Sequence, residues 1–125
     1  METIKVIIAG SRKYDDYATL VEKCDKILSK KLENSNTQVV IVSGCAKGAD
    51  SLGERYAVEK GLQVEKYPAD WNRYGNSAGY RRNAQMAAIA DALIAFPKLG
   101  EANKGTMNMI ECARKRGLLI RIIGE

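Results

Sequence analysis

The 125-residue chain contains no histidine. That absence excludes Ser-His-Asp and Cys-His catalysis, histidine general bases and histidine metal ligands. Cysteine is scarce: Cys24, Cys45 and Cys112 are an odd number without paired spacing, which argues against a disulfide framework or a zinc knuckle. Such usage suits a reducing compartment, so a cytoplasmic location is expected. No apolar run reaches the roughly 18 residues of a membrane span, and no membrane partner is expected. Met1 to Ala9 lacks the basic start and small-residue cleavage site of a signal peptide. No catalytic metal or cofactor is expected. Asp15, Asp16, Asp50 and Asp70 lie in or near loops, but none pairs closely with histidine or cysteine partners. Neither sign of charge dominates: 20 basic against 15 acidic residues leave a net +5, scattered in blocks of two or three. This permits an anionic ligand without demanding nucleic acid.

What is present is the balance of an ordinary globular protein, 46% apolar and 28% charged. The length suits one domain over residues 1–125. Strand and helix patterns alternate throughout. Ile4 to Ala9, Val39 to Val42, Leu62 to Tyr67, Ala92 to Phe96 and Leu118 to Ile123 read as strands. Helices are expected from Tyr17, capped by Asp15 or Asp16, and after Asp50 or Ser51, where Ser51 and Glu54 fit a capping box. Two more are expected over Gly79–Ala90 and Thr106–Arg116. Five βα units mean an α/β fold: a parallel sheet with helices on both faces. Strands one, two and four are apolar on successive residues, as in a doubly covered sheet. Strand three alternates and strand five contains Arg121, so both read as edges. The order 3-2-1-4-5 follows, with strand one central.

Ligands of such sheets bind beyond the carboxyl ends of the strands, where the winding reverses, here between strands one and four. Four segments converge there. Gly10-Ser11-Arg12 combines a tight turn, a hydroxyl and a guanidinium able to fork onto phosphate. Ser43 to Asp50 places Gly44, Lys47 and Gly48 before a helix start, the recipe for anion binding. Asp50 either caps that helix or accepts from a ribose hydroxyl, and Cys45 reads as a small buried residue rather than a nucleophile. In the third segment Trp71 either stacks on a base or plugs the core under a loop. Arg81 and Arg82 stand at a helix start, against its dipole, which points to an anion unless both are simply solvated. Fourth, Gly105-Thr106 opens a helix after strand four, with Thr106 as cap and phosphate ligand.

Gly10-Ser11-Arg12, Ser43-Gly44 with Lys47-Gly48-Ala49-Asp50, Pro68-Ala69-Asp70-Trp71, Gly79 to Asn83 with Met86, Asp91 to Phe96 and Gly105-Thr106 together resemble the YspA-like branch of the SLOG superfamily. That superfamily unites the DNA-processing protein Smf/DprA with LOG phosphoribohydrolases. The resemblance implies a Rossmann-like three-layer α/β/α sandwich of bacterial or phage type. It implies a bound nucleotide or nucleotide derivative, in a sensor or sequestering protein, and a homodimer. Arg82-Asn83 is similar to the Arg-Lys pair of the LOG enzymes, and Gly105-Thr106 to their phosphate loop. Met109 stands where those enzymes carry glutamate, and Glu111 lies about 200° further round the helix. N-glycosidic cleavage of a nucleoside monophosphate is therefore the alternative function, with Asp50 or Asp70 as the remaining carboxylates. Single-stranded nucleic-acid binding, by analogy with DprA, is the third. It is disfavoured by an aromatic content of 6% and the lack of a visible stacking ladder.

Overall fold

A computed structural model describes residues 1–124. Strand β1 (Glu2–Gly10) is followed by helix α1 (Tyr17–Glu33), β2 (Thr37–Ser43), α2 (Ala49–Lys60) and β3 (Gln63–Lys66). A short helix α3 (Trp71–Tyr74) and a 3-10 turn (Gly75–Ser77) lead into α4 (Ala78–Ile89). Strand β4 (Ala92–Phe96), α5 (Lys104–Lys115) and β5 (Leu119–Ile122) complete the chain. All pairings are parallel and the order is β3-β2-β1-β4-β5, as the strand polarity predicts. The fold is a Rossmann-like α/β sandwich.

Successive residues of the central strands point to opposite faces, so each strand feeds two cores. Val6, Ile8, Val39, Ile41, Ile94 and Phe96 pack with Leu20, Cys24 and Leu28 of α1 and Tyr56 and Ala57 of α2. Ile7, Ala9, Val42, Leu93 and Ala95 pack with Met86 and Ala87 of α4 and Met109, Ile110 and Ala113 of α5. Edge strands β3 and β5 contain no fully buried residue.

Helix starts differ from expectation at two places. Asp16 does cap α1, accepting from the Thr19 N–H at 3.1 Å. Neither Asp50 nor Ser51 caps α2. Its N-cap is Gly48, whose φ of 74° turns the chain so that the Ala49 N–H donates to the Ser11 carbonyl at 3.1 Å. The helix thus begins early. Asp50 falls in its first turn, Ser51 donates to the Ala46 carbonyl, and Glu54 accepts from Ser43 Oγ, so the capping box does not form. Helix α5 likewise begins at Lys104, behind Asn103 in a left-handed conformation (φ 55°). Asn103 holds the preceding loop by donating to the carbonyls of Lys98 and Glu101, both at 2.9 Å. Thr106 is accordingly a helical residue, buried at 4% exposure, not a cap. Helix α3 occupies what reads in sequence as polar loop; Asp70 caps it by accepting from the Arg73 N–H at 3.1 Å.

Candidate functional site

A cavity of about 460 Å³ opens at the carboxyl ends of the strands, beside the β1–β4 seam. The sheet creates it because the chain leaves β1 toward one face and β4 toward the other, leaving a crevice between the departing segments. Nine of the twelve residues singled out in the sequence line it: Gly10, Ser11, Arg12, Asp50, Trp71, Arg82, Asn83, Gly105 and Thr106. Gly44 lines an adjoining groove. Lys47 and Gly48 line neither; Lys47 is exposed, and Gly48 packs behind the β1 turn.

Backbone proximity shapes the floor. A Cβ on Gly10 would stand 2.2 Å from the Phe96 carbonyl oxygen, and one on Gly48 the same distance from the Ser11 carbonyl oxygen. The Ser11 hydroxyl accepts from the Lys13 N–H at 3.1 Å and so helps fold the turn.

Arg82 is the central cation. It is not solvated: only 9% exposed, it donates through Nη1 to the Gly44 carbonyl and through Nε to Asn83 Oδ1 at 2.9 Å. Among the described residues Nη2 has no protein acceptor. Arg81, next to it, is exposed; it lies over the Tyr74 ring and donates to Ser77 Oγ. Asn83 donates to Asn108 Oδ1 at 2.9 Å and to the Gly105 carbonyl at 3.4 Å, fastening α4 to the first turn of α5.

Asp50 faces the cavity at 5% exposure. Burial pushes its carboxyl up to about 6, against the opposing pull of the Ala46 N–H and of Arg82. Gly44 sits between this carboxylate and Arg82. A Cβ there would meet Arg82 Nη1 at 2.7 Å and Asp50 Oδ2 at 2.8 Å. Asp70 stays outside the cavity as the α3 cap.

Trp71 does not plug the core. It is 49% exposed, with its ring edge near Gly79 and the Arg12 guanidinium 5.8 Å over its face. Cys45 is exposed rather than buried, because its φ of 63° turns it out at the loop tip. Met109 is buried in the cavity wall, and Glu111 points away, exposed and 3.6 Å from Arg114.

The sequence reading missed several lining residues: Lys13, Asn76, Glu101, Ala102 and Asn103. The signal for the last three was topological, since any loop leaving β4 must border the crevice. Glu101 reaches Lys13 at 3.5 Å, joining the two loops at the rim. Among the described residues no group of three or more His, Cys, Asp or Glu side chains is placed to hold a metal, and no helix is long and apolar enough to cross a membrane.

Comparison with known proteins agrees with this architecture. The DNA processing protein A (DprA) from Streptococcus pneumoniae superposes with a TM-score of 0.67 at 22% identity, over 99% of this chain and 51% of that one. This chain thus spans about half the length of DprA. TM1055 superposes with a TM-score of 0.61 at 18% identity, over 96% of this chain and 72% of that one. Gene 61 protein of Mycobacterium phage D29 is 35% identical over 127 residues, covering 97% of each chain. Residues 4–74, which carry the β1 and β2 turns and Trp71, match the description "YspA, cpYpsA-related SLOG family". The chain belongs to that family.

Proposed function

We propose that the cavity binds a nucleotide or nucleotide-derived ligand and that the protein acts as a sensor or sequestering protein for it. The observation that carries this reading is Arg82: a buried guanidinium with an unpartnered Nη2, in the wall of the same cavity as the first turn of α5. A phosphate placed there receives a charge-assisted bond from Arg82 and donors from the helix N-terminus beside Thr106. Trp71, half-exposed at the rim, offers its indole for stacking on a base. Native mass spectrometry of freshly purified protein tests for a carried-over nucleotide, and calorimetry with nucleoside monophosphates tests for binding. Absence of both, in folded protein, refutes the reading.

A second reading, N-glycosidic cleavage of a nucleoside monophosphate, is favoured by one observation. Asp50 puts a carboxyl in the cavity with its pKa raised to about 6, where it can donate a proton near neutrality. Met109 opposes it, since the wall position that carries glutamate in LOG enzymes is here apolar. Release of ribose 5-phosphate from a nucleoside monophosphate, lost in Asp50→Asn, distinguishes the two.

A further inference from the structure

Beside the main cavity lies a second groove of about 120 Å³, roughly a quarter of its volume. Arg12, Ala46, Trp71 and Arg82 belong to the walls of both spaces. The remaining walls of the groove are Gly44, Cys45, Pro68 and Ala69, which carry no charge. The junction between the two spaces is therefore an indole, two guanidiniums and the small Ala46.

Its charge is unbalanced. Among the described residues Arg12 has no carboxylate partner; its contact is the face of Trp71. Arg82, nine-tenths buried, keeps Nη2 without an acceptor. Burial pushes its pKa down, Asp50 draws it up, and the like charge of Arg12 again pushes it down. Asp50 alone supplies at most one negative charge against two positive ones. Arg82 is buried and Arg12 exposed, so an anion lying between them meets one desolvated and one solvent-accessible guanidinium.

Resting on the nucleotide reading above, we propose that this junction holds a diphosphate bridge, so that the ligand is a nucleoside diphosphate bearing a small uncharged group, such as a sugar nucleotide. The nucleoside occupies the main cavity. The first phosphate lies toward Thr106 and Arg82, and the second between Arg82 and Arg12. The appended group enters the small groove, whose walls beyond the two arginines carry no charge and whose lesser volume suits a sugar ring better than a second nucleoside. A monophosphate leaves Arg12 uncompensated and the groove empty.

Calorimetry with AMP, ADP and ADP-glucose, GMP, GDP and GDP-mannose, and UMP, UDP and UDP-glucose tests this. In the series of the preferred base, the sugar nucleotide should bind about tenfold or more tightly than the monophosphate. Ala69→Leu, which narrows only the small groove, should remove that advantage while leaving monophosphate affinity unchanged. Arg12→Gln should weaken the sugar nucleotide by about tenfold and the monophosphate by much less. Circular dichroism verifies that both variants fold. If the sugar nucleotide binds no better than the monophosphate, and Ala69→Leu alters neither, the diphosphate assignment is overturned while the nucleotide reading stands. If none of the nine compounds binds folded protein, the nucleotide reading falls, and this inference with it.

Discussion

Asp50→Asn should make the protein more stable at neutral pH, and the gain should vanish in acid. The Asp50 carboxyl is 5% exposed and titrates near 6 in the folded chain, against an ordinary 3.8. Its cause is burial, which outweighs the Ala46 N–H and the Arg82 charge. A carboxyl whose folded pKa is raised favours the folded state while protonated. That contribution is fully present below about 3.8 and is lost as pH rises through about 6. At about 1.36 kcal/mol per pKa unit, the ionised side chain costs the folded state about 3 kcal/mol at pH 7. Asparagine keeps an acceptor for the Ala46 N–H and removes the charge. Other carboxylates behave oppositely. Asp16, Asp25, Glu59 and Glu65 have lowered pKa values and lose stabilising interactions in acid, but they are common to both proteins and cancel in the difference. Urea denaturation of wild type and Asp50→Asn between pH 4 and pH 8 isolates the effect. The variant's advantage should grow with pH and level off above about pH 7. A difference that is flat, or that grows toward acid, refutes the claim that burial dominates at Asp50.

Arg82→Ala should weaken nucleotide binding by roughly ten- to a hundredfold in calorimetry, the effect of losing a charge-assisted bond of about 1.5–3 kcal/mol. It should also lower stability by about 1–3 kcal/mol in urea denaturation, because the Gly44 carbonyl and Asn83 Oδ1 lose their donor; the polarity of Arg82 alone leads one to expect an unaffected fold. Thr106→Ala should weaken binding less, since backbone donors survive it. Gly48→Ala should destabilise by about 2–4 kcal/mol, measured by thermal melting, because its Cβ would meet the Ser11 carbonyl oxygen at 2.2 Å with φ at 74°. Nucleotide binding should be unchanged by EDTA; binding abolished by EDTA and restored by a transition metal would contradict the reading of a site without a catalytic metal.

The sheet was legible because strand order is written in polarity. Ile7 and Ile8 of β1 must both be covered, whereas Glu65 of β3 and Arg121 of β5 tolerate an edge. The location of the crevice followed from that order. The roles inside it were less legible, because they depend on partners distant in sequence. Arg81 and Arg82 are identical by composition, yet one stacks on Tyr74 and the other is buried under Gly44, 38 residues away. Asp50 resembles a cap until the positive φ of Gly48 is known, and no local propensity specifies that turn. Helix α3 has only four residues, too few to show any periodicity.

The close packing of Gly48 against the Ser11 carbonyl gives the cleft a backing unlike its rim. On one side, Gly48 and Ala49, behind the cavity, tie the β1 and β2 turns together, and Gly10 on its floor abuts the Phe96 carbonyl, contacts that a Cβ at either glycine would break. On the other, Trp71, Asn76, Tyr80 and Glu101 border the same cavity with side chains that remain largely exposed. Randomising those four positions should therefore leave most library members folded, whereas randomising positions 10, 48 and 49 should leave few. New ligand preferences can thus be selected at the rim while the turns behind it preserve the scaffold: the geometry that makes the backing intolerant of change leaves the rim evolvable.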